Sequence, residues 1–473
     1  MRKLFLSALA AVVAFTVSAQ ERRELHILSA NDIHAAIENM PRLGFVADSL
    51  RALYPDLLIL SGGDNRSGDP VNDMFEIPAY PMVALMNQIG FKATVVGNHE
   101  FDSNQDGFAK LIDLGTFSTL CANMEPAAKW NMHVKPYQLF DCGGITVGVL
   151  GITALGAMGT PESHPTRLTE IKFMEPLETI QKYKFLRDKC DVVVLLSHLG
   201  YNDDVRFSKD LPWVDIIVGG HSHTQLEGGE MHNGILITQN MKSLPYATHS
   251  VLVLEGDKIV EKRAERIAIA GVKRENKTLV ELVRYFSDNP AFKRVLAVAE
   301  TPFETSEELG CLAVDAFLAE TGADITYLNA GGVRMDGLPA GNITVGDVMK
   351  MDPFQNNLTE LTVTGKELAD MLISCYDHDK NRFPFVSGIK CDVTLNPADN
   401  KIAKLIIYDK NGKKLNLKKT YRVVGNSYSV AVSPTNRKDQ GRNLSVTSPE
   451  VIKSYLENQG KVSYQGRHCL TIK

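Results

Sequence analysis

Five short apolar segments in the first half of the chain are each followed at once by side chains that carry oxygen or imidazole donors. These segments are 25–29, 57–60, 93–96, 192–196 and 216–218. Short apolar runs are typical of buried strands, and between the first two the apolar residues of 43–53 recur at the spacing of a helix. Strand, polar cluster and helix in alternation predict a layered α/β domain in which the strand ends form one edge that carries the site.

The polar clusters contain metal-binding side chains of one chemical kind, with no thiolate among them. The hexapeptide 97–102 (GNHEFD) is the densest cluster, although alone it could be a turn with an incidental histidine. The donors at the five strand ends are Asp32, His34, Asp64, Asn98, His99, Asp102, His198, His221 and His223. Imidazole together with carboxylate suits zinc, manganese, iron and similar divalent ions. One histidine at a strand end is more often structural, but five such ends together predict a metal site.

The overall composition limits the possible partners and location. A chain of 473 residues predicts two or three domains, and a net charge of -5 argues against duplex nucleic acid as a partner. Residues 1–19 have the basic start, apolar core and small-residue cleavage site of a signal peptide. A retained membrane anchor is the alternative, but the apolar run is short for a membrane span. We therefore expect a periplasmic or secreted protein without a stable membrane anchor.

Seven cysteines are scattered through the chain without a CxxC pair, which disfavours a zinc-thiolate site. Export permits disulfides, and an odd count leaves at least one thiol unpaired. The sequence leaves the pairing open, and we interpret most of these cysteines as buried and unpaired.

A charged stretch near 255–300 separates the first domain from a second one. We therefore expect a catalytic domain over 20–270, a connecting segment over 271–300 and a smaller α+β domain over 301–473. In the second domain, Thr305 and Glu308 are spaced as a capping box before an apolar helix. A predicted strand at 325–328 then runs into Asn329 and Arg334, which flank a pair of glycines.

The motifs Asp-x-His, Gly-Asp, Gly-Asn-His-Glu, Ser-His and Gly-His-Ser-His occur in the order found in the calcineurin-like metallophosphatases, which the chain resembles. The longer Gly-Asn-His-Glu-Phe-Asp and the later Asn-x-Gly-Gly-x-Arg resemble the secreted 5′-nucleotidase family in particular. The resemblance covers nearly all of the chain after the signal peptide. It implies a four-layer αββα metallophosphatase domain followed by an α+β domain that binds substrate.

The resemblance also implies two divalent metal ions, zinc, manganese or similar. Asp32, His34, Asp64 and His223 would hold one ion, and Asp64, Asn98, His198 and His221 the other, with Asp64 bridging. By the same resemblance, His99 stabilises the phosphoryl transition state or the leaving group, and Asp102 orients its ring. The alternative role for Asp102 is the N-cap of the next helix.

Five residues of the second domain resemble family substrate contacts. Arg334 resembles the arginine that binds a substrate phosphate or carboxylate, with Asn329 beside it. Phe354 resembles the aromatic residue on which the base stacks, and Asn356 a polar residue that contacts the base. Tyr428 is the candidate second aromatic. The alternative for Phe354 is a place in the hydrophobic core.

The second domain also departs from the family pattern. The segment 426–429 reads Asn-Ser-Tyr-Ser and lacks the glycine-rich aspartate motif that usually follows. Thr305 stands where the family often has an arginine, and Cys311 where it has an asparagine. The base preference is therefore open. The sequence also leaves open the metal identity and the oligomeric state.

These features predict a hydrolase that removes phosphate from nucleoside 5′-monophosphates. One alternative is a 2′,3′-cyclic-nucleotide phosphodiesterase with 3′-nucleotidase activity, which Tyr428 favours slightly. A sulfur-ester hydrolase of the same superfamily is another. A third is an exported protein that binds a nucleotide or a partner without turnover.

Overall fold

The computed structural model describes residues 22–379 and 381–472, so the predicted signal peptide lies outside the described residues. In the first domain the strands are β1 Arg22–Ala30, β2 Leu58–Ser61, β3 Ala93–Val95, β4 Ser118–Leu120, β5 Met124–Pro126, β6 Tyr137–Cys142, β7 Ile145–Thr153, β8 Ile171–Phe173, β9 Val192–His198, β10 Ile216–Val218, β11 Glu230–His232, β12 Ile235–Thr238, β13 Tyr246–Glu255 and β14 Lys258–Ala268. The helices are α1 Met40–Leu53, α2 Pro70–Asp73, α3 Tyr80–Ile89, α4 Asn104–Leu114, α5 Pro176–Gln181, α6 Tyr201–Ser208 and α7 Lys277–Ser287.

Two six-stranded sheets form the centre of this domain, in the orders β14-β13-β1-β2-β3-β4 and β11-β12-β10-β9-β7-β6. Apolar side chains from both sheets, such as Ile27 and Val194, make one shared core between them. Helices α1, α3 and α7 cover the outer face of the first sheet, and α6 packs on the second. The predicted four-layer αββα arrangement is therefore confirmed.

The sheet topology brings the predicted site residues to one edge. Strands β1, β2 and β3 run parallel, as do β7, β9 and β10, so each set presents its carboxyl ends on the same side. Asp32, Asp64 and Asn98 follow the first three strands within three residues. His198 is the last residue of β9, and His221 lies just beyond β10.

The second domain contains three smaller sheets with helices packed on them. Its strands are β15 Val295–Ala299, β16 Ile325–Leu328, β17 Gly341–Thr344, β18 Asn357–Thr364, β19 Phe385–Ser387, β20 Ile389–Leu395, β21 Ile402–Asp409, β22 Thr420–Asn426, β23 Arg442–Thr447, β24 Lys461–Val462 and β25 Leu470–Ile472. Its helices are α8 Ser306–Thr321, α9 Val345–Met351, α10 Gly365–His378, α11 Ser427–Ala431 and α12 Ser448–Gln459. The central sheet has the order β19-β16-β22-β18-β23, and α8 packs against β16 and β19.

The cap of α8 differs in part from what the sequence predicts, and the cysteines agree with it. Thr305 caps α8 by accepting from the Glu308 amide, but the capping box is incomplete because the Glu308 carboxylate binds the amides of Glu304 and Gly466 instead. Cys311 and Cys469 form a disulfide, and the other five cysteines are free and buried. The interpretation of most cysteines as buried and unpaired is thus confirmed. Among the described residues, no helix has the length and apolar character needed to cross a bilayer.

Candidate metal centre and substrate cleft

Seven of the predicted donors converge at the carboxyl edge of the first domain. In one half of this cluster, His198 Nε2 lies 3.1 Å from Asp64 Oδ2 and 3.3 Å from Asn98 Oδ1. Asn98 Oδ1 is in turn 3.0 Å from His221 Nδ1. One atom of Asn98 therefore faces two imidazole nitrogens.

The other half of the cluster contains Asp32, His34 and His223. The Nε2 atoms of the two histidines are 3.2 Å apart, and His223 Nε2 lies 3.4 Å from Asp32 Oδ1. Asp64 is also within the ligand range of His34, so it belongs to both halves.

The hydrogen bonds of the histidines test whether the residues fit a metal. His198 Nδ1 donates to the carbonyl of Gly62 at 2.7 Å, and His34 Nδ1 donates to the carbonyl of Ser67 at 3.1 Å. A carbonyl only accepts, so Nδ1 of each ring carries a proton and Nε2 is the atom left to bind a ligand. For His198, burial acts to lower the pKa, but the Asp64 carboxylate outweighs it and raises the pKa to about 10, so a cation would replace a proton at this Nε2. Burial, followed by the charge of Arg334, lowers the pKa of His34 well below its usual value, which keeps this ring neutral. Imidazole nitrogens and carboxylate or amide oxygens therefore face one another at short distances, and this donor set fits a divalent cation.

The backbone at this edge adopts conformations that only a defined tertiary structure supports. Five of the seven donors have positive φ angles: Asp32, His34, Asp64, His221 and His223 lie between 47° and 75°. Such angles are uncommon outside glycine, and they cluster at functional sites. At Gly97, a Cβ would lie 2.2 Å from Asp64 Oδ1, so this position requires glycine for the donors to approach.

Glu100 is a residue of the site whose role the sequence reasoning missed. Its buried carboxylate accepts backbone hydrogen bonds from Asp64, Asn65 and Gly97, at 2.7 to 3.1 Å. Burial, and then the neighbouring Asp64 carboxylate, raise the pKa of Glu100 to about 7. Its place three residues after Gly97, just beyond a strand, was the available signal. Glu100 joins the loops that follow β2 and β3.

His99 and Asp102 form a hydrogen-bonded pair beside the donor cluster. His99 Nδ1 lies 2.8 Å from Asp102 Oδ2, which also accepts from Ser67 Oγ at 2.5 Å. Burial acts to raise the pKa of Asp102, but His99 and then Arg167 outweigh it and hold the pKa below its usual range. The N-cap alternative for Asp102 is wrong, because Ser103 occupies the cap position of α4.

The second domain faces this cluster across a cleft of about 490 Å³. All five predicted substrate contacts line the cleft, namely Asn329, Arg334, Phe354, Asn356 and Tyr428. The Arg334 guanidinium reaches the first domain, where it lies 3.3 Å from His34 Nε2. No carboxylate among the described residues forms an ion pair with it.

The aromatic residues of the cleft contact histidines. The Phe354 ring is stacked on His99 with 5.7 Å between ring centroids and 21° between planes, so its core alternative is wrong. The Tyr428 hydroxyl lies 3.3 Å from His378 Nε2. Asn329 is 5% exposed, and its Oδ1 accepts from Ser429 Oγ at 2.9 Å, which fixes its side chain against α11.

Two arginines of the cleft were not foreseen from the sequence. Arg167 binds Asp102, and Arg382 binds Asp379, whose other oxygen accepts from the Gly331 amide. Neither arginine lies in a motif of the first-domain or second-domain pattern, so no local signal pointed to them. Thr305, at the position of the missing family arginine, is used as the cap of α8.

Comparisons with known proteins agree with this geometry. A family model for the calcineurin-like phosphoesterases matches residues 25–225, and a model for the 5′-nucleotidase C-terminal domain matches residues 286–433. The first domain is thus a calcineurin-like phosphoesterase, which implies divalent metal ions and makes the chain a hydrolase of phosphoric esters. With both domains present in this order, the chain belongs to the 5′-nucleotidase family.

Individual relatives extend over most of the chain. The 5′-nucleotidase of Vibrio cholerae is 27% identical over 518 residues, covering 93% of this chain and 91% of the relative. Protein UshA of Escherichia coli is 25% identical over 489 residues, covering 86% of each. The crystal structure of a 5′-nucleotidase precursor from Thermus thermophilus superimposes with a TM-score of 0.84 at 24% identity, covering 95% of this chain and 99% of that one, and so shares the fold.

Proposed function

We propose that the protein hydrolyses nucleoside 5′-monophosphates to nucleoside and phosphate at a centre of two divalent metal ions. The observation that carries the proposal is the convergence of seven oxygen and nitrogen donors next to His99, at the mouth of a cleft that both domains line. The names of the relatives favour this activity over the cyclic-nucleotide phosphodiesterase alternative.

In this proposal each half of the donor cluster holds one ion. Asp32, His34, Asp64 and His223 hold the first, and Asp64, Asn98, His198 and His221 hold the second. When bound, divalent cations in such a site neutralise phosphoryl charge and make water a better nucleophile near neutral pH. Asp64 Oδ1 accepts from the His99 amide at 2.8 Å, which ties this shared carboxylate to the loop of the proposed acid.

His99 is the proposed proton donor or hydrogen-bond donor to the phosphoryl group. Its Nδ1 is held by Asp102, which leaves Nε2 as the free donor atom. The Asp102 carboxylate, whose pKa is held below its usual range against burial by His99 and Arg167, orients the ring so that Nε2 faces the cleft side of the donor cluster. His99 can therefore stabilise negative charge on the phosphoryl oxygens or on the leaving alkoxide.

The second domain supplies the proposed recognition of the substrate. Arg334 has no ion-pair partner among the described residues, which leaves its guanidinium available for a phosphate. Phe354 and Tyr428 provide aromatic surfaces for the base, and Asn329 and Asn356 provide polar groups at the cleft wall.

We also propose the domain division 20–270, 271–300 and 301–473, with export by a signal peptide at 1–19 and residence in the periplasm or outside the cell. The matched ranges 25–225 and 286–433 support two units. Leu279 and Phe286 of α7 pack in the first domain, whereas the core of the second begins at Leu296. Strand β15 pairs with β17 and β24 of the second domain, so the proposed connecting segment is packed on the first domain at its start and on the second at its end.

The direct test is phosphate release by the purified protein from AMP, 3′-AMP, 2′,3′-cyclic AMP and an aryl phosphate. We expect release from AMP that chelation abolishes and that added zinc or manganese restores. Release confined to the cyclic substrate or to 3′-AMP would replace the proposed function by its alternative. No release with any metal would contradict hydrolysis itself.

A further inference from the structure

We propose that Arg167 is a positioning residue that couples the docking of the second domain to the orientation of the His99–Asp102 pair. The inference rests on the proposed function, because it concerns the same hydrolytic site. It is drawn from contacts of Arg167 on both sides of the cleft.

Arg167 makes two contacts with different domains through its two terminal nitrogens. Its Nη1 donates to Asp102 Oδ1 at 2.8 Å, in the first domain. Its Nη2 donates to the backbone carbonyl of Phe354 at 3.1 Å, in the second domain. The planar guanidinium fixes the angle between the two bonds, so it also fixes the position of Asp102 relative to Phe354.

The two contacts belong to a closed ring of interactions around His99. Asp102 Oδ2 holds His99 Nδ1, and the His99 ring stacks on the ring of Phe354. The Phe354 carbonyl returns to Arg167. His99 is therefore held on one side by the Asp102 carboxylate and on the other by the Phe354 ring. Arg167 donates a hydrogen bond to each of these two residues.

Both ends of this connection are anchored in their own domains. In the first domain, Leu168 follows Arg167 and is buried in the core that contains Phe101. The next residue, Thr169, accepts hydrogen bonds from Gln105 of α4 through its backbone carbonyl and its hydroxyl. The Phe354 amide donates to Asp352, whose side chain is 1% exposed. Loss of the guanidinium would thus leave both backbones in place while it removes the connection between them.

The physical consequence concerns the ring of His99 and the carboxylate of Asp102. Without Arg167, Asp102 Oδ1 loses its hydrogen-bond donor, and the carboxylate can turn away from His99. The second domain would then dock without fixing the pair, and a smaller fraction of bound substrate would meet a correctly oriented imidazole. This lowers kcat while substrate contacts in the second domain, and therefore KM, change little.

The first experiment compares Arg167→Ala with the wild type on AMP in the metal-loaded protein. We expect kcat to fall about 10- to 100-fold, as is usual when a partner that orients an active-site group is removed. KM should change less than about 3-fold by the same argument. Millimolar guanidinium should restore part of kcat, because it can reoccupy the vacated space between Asp102 and Phe354.

The matched control is Lys350→Ala. Lys350 Nζ forms an ion pair between the domains with Asp69 at 2.8 Å, but it has no contact with His99 or Asp102. If Arg167 acted as a general tether between domains, Lys350→Ala would reduce kcat to a similar extent. Our proposal predicts that kcat of Lys350→Ala stays within about 2-fold of the wild type.

A double substitution tests whether Arg167 acts through Asp102. In an Asp102→Ala background, Arg167→Ala should lower kcat by less than about 3-fold, since residues that act as a unit are strongly non-additive. Two independent, multiplicative losses would overturn the proposal. So would a wild-type kcat in Arg167→Ala, or a change confined to KM.

A spectroscopic measurement keeps the proposal testable apart from turnover. The proton shared by His99 Nδ1 and Asp102 should give a downfield resonance in the wild type that is shifted or broadened in Arg167→Ala and unchanged in Lys350→Ala. Retention of the wild-type resonance in Arg167→Ala would contradict the positioning role, whether or not AMP is hydrolysed. A protein that keeps this resonance pattern but releases no phosphate would contradict the proposed function instead.

Discussion

The two walls of the cleft differ in how firmly their functional side chains are held. On the first-domain wall five of the seven donors are buried, with Asp32 and His198 0% exposed and Asp64 2% exposed, whereas His221 and His223 are partly exposed. Asp64, His34 and His198 are hydrogen-bonded to the backbone. On the second-domain wall Asn329 and Asn356 are buried, but Arg334, Phe354 and Tyr428 are partly exposed and touch mainly other side chains of the cleft.

This difference separates the chemistry from the recognition. A change at the first-domain wall disturbs several backbone conformations and donors together, so the wall tolerates little variation. A change at the second-domain wall alters one contact with the substrate. The departures from the family pattern lie on the second wall, around Thr305 and the segment 426–429. The same phosphoryl chemistry can thus be combined with different substrate preferences.

The largest effect is expected for Asp64→Ala, on the first-domain wall of the cleft. We expect metal affinity to fall by more than about 100-fold and phosphate release to be lost, because even an indirect partner of a ligand is worth about 10- to 100-fold. Bound metal is measured by elemental analysis and release with AMP. Asp203→Ala, at an exposed ion pair with Arg206, is the control. Full metal content in Asp64→Ala would show that Asp64 is not a metal ligand and would contradict the proposed role of the first-domain wall.

His99→Gln should affect chemistry and leave the metal in place. We expect kcat to fall by about 10² to 10⁴, the usual contribution of a positioned proton donor. Metal content should match the wild type, because His99 is not one of the seven proposed ligands. Loss of metal in this variant would show that His99 is a ligand, which its proximity to His34 and Asp64 allows geometrically.

Tyr428→Ala tests the second-domain wall of the cleft. Loss of one stacked base is worth about 1–3 kcal/mol, so KM for AMP should rise about 5- to 150-fold with a smaller change in kcat. Ribose 5-phosphate has no base, and its turnover should be the same in both proteins. Equal effects on the two substrates would show that Tyr428 supports the domain and does not contact the base. Circular dichroism checks that the variant is folded.

The smallest expected effect concerns a histidine pair outside the cleft, His26 and His249. Their facing nitrogens are 3.1 Å apart. Burial and then His249 lower the pKa of His26, Arg263 acts in the same direction, and Glu24 opposes them. The folded state therefore binds fewer protons here than the unfolded state.

For a histidine with a lowered pKa, the free energy of unfolding is highest above the ordinary value of about 6.5 and falls as the pH drops below it. Urea unfolding between about pH 5 and 8 measures this slope. In His26→Gln the slope should be shallower in that window. An unchanged slope would assign the pH dependence to the cleft histidines, provided metal loading is equal in both proteins.

Much of the fold followed from local patterns. The apolar runs at 93–96 and 216–218 correspond to β3 and β10, and the predicted strand 325–328 is β16. These predictions succeeded because a buried strand and its polar end are encoded within a few neighbouring residues. The charged stretch after residue 255 begins with the strand β14. It can be charged because β14 lies at the edge of its sheet, where the outer face is exposed.

Other features depend on residues far apart in the chain and left no local trace. The disulfide joins Cys311 and Cys469 across 158 residues. Arg167 and Phe354 meet only because the domains dock, and the positive φ angle of His221 reflects packing of the whole edge. The roles of the individual site residues remain predictions that the experiments above can decide.

The Glu100 carboxylate also has a consequence for hydrogen exchange. It holds the amides of Asp64, Asn65 and Gly97, which lie in loops outside the strands and helices. Exchange of these amides with deuterium requires breaking bonds to a buried carboxylate, so they should exchange as slowly as amides inside a sheet. In an exchange profile, these loop amides would therefore group with the strands of the central sheets.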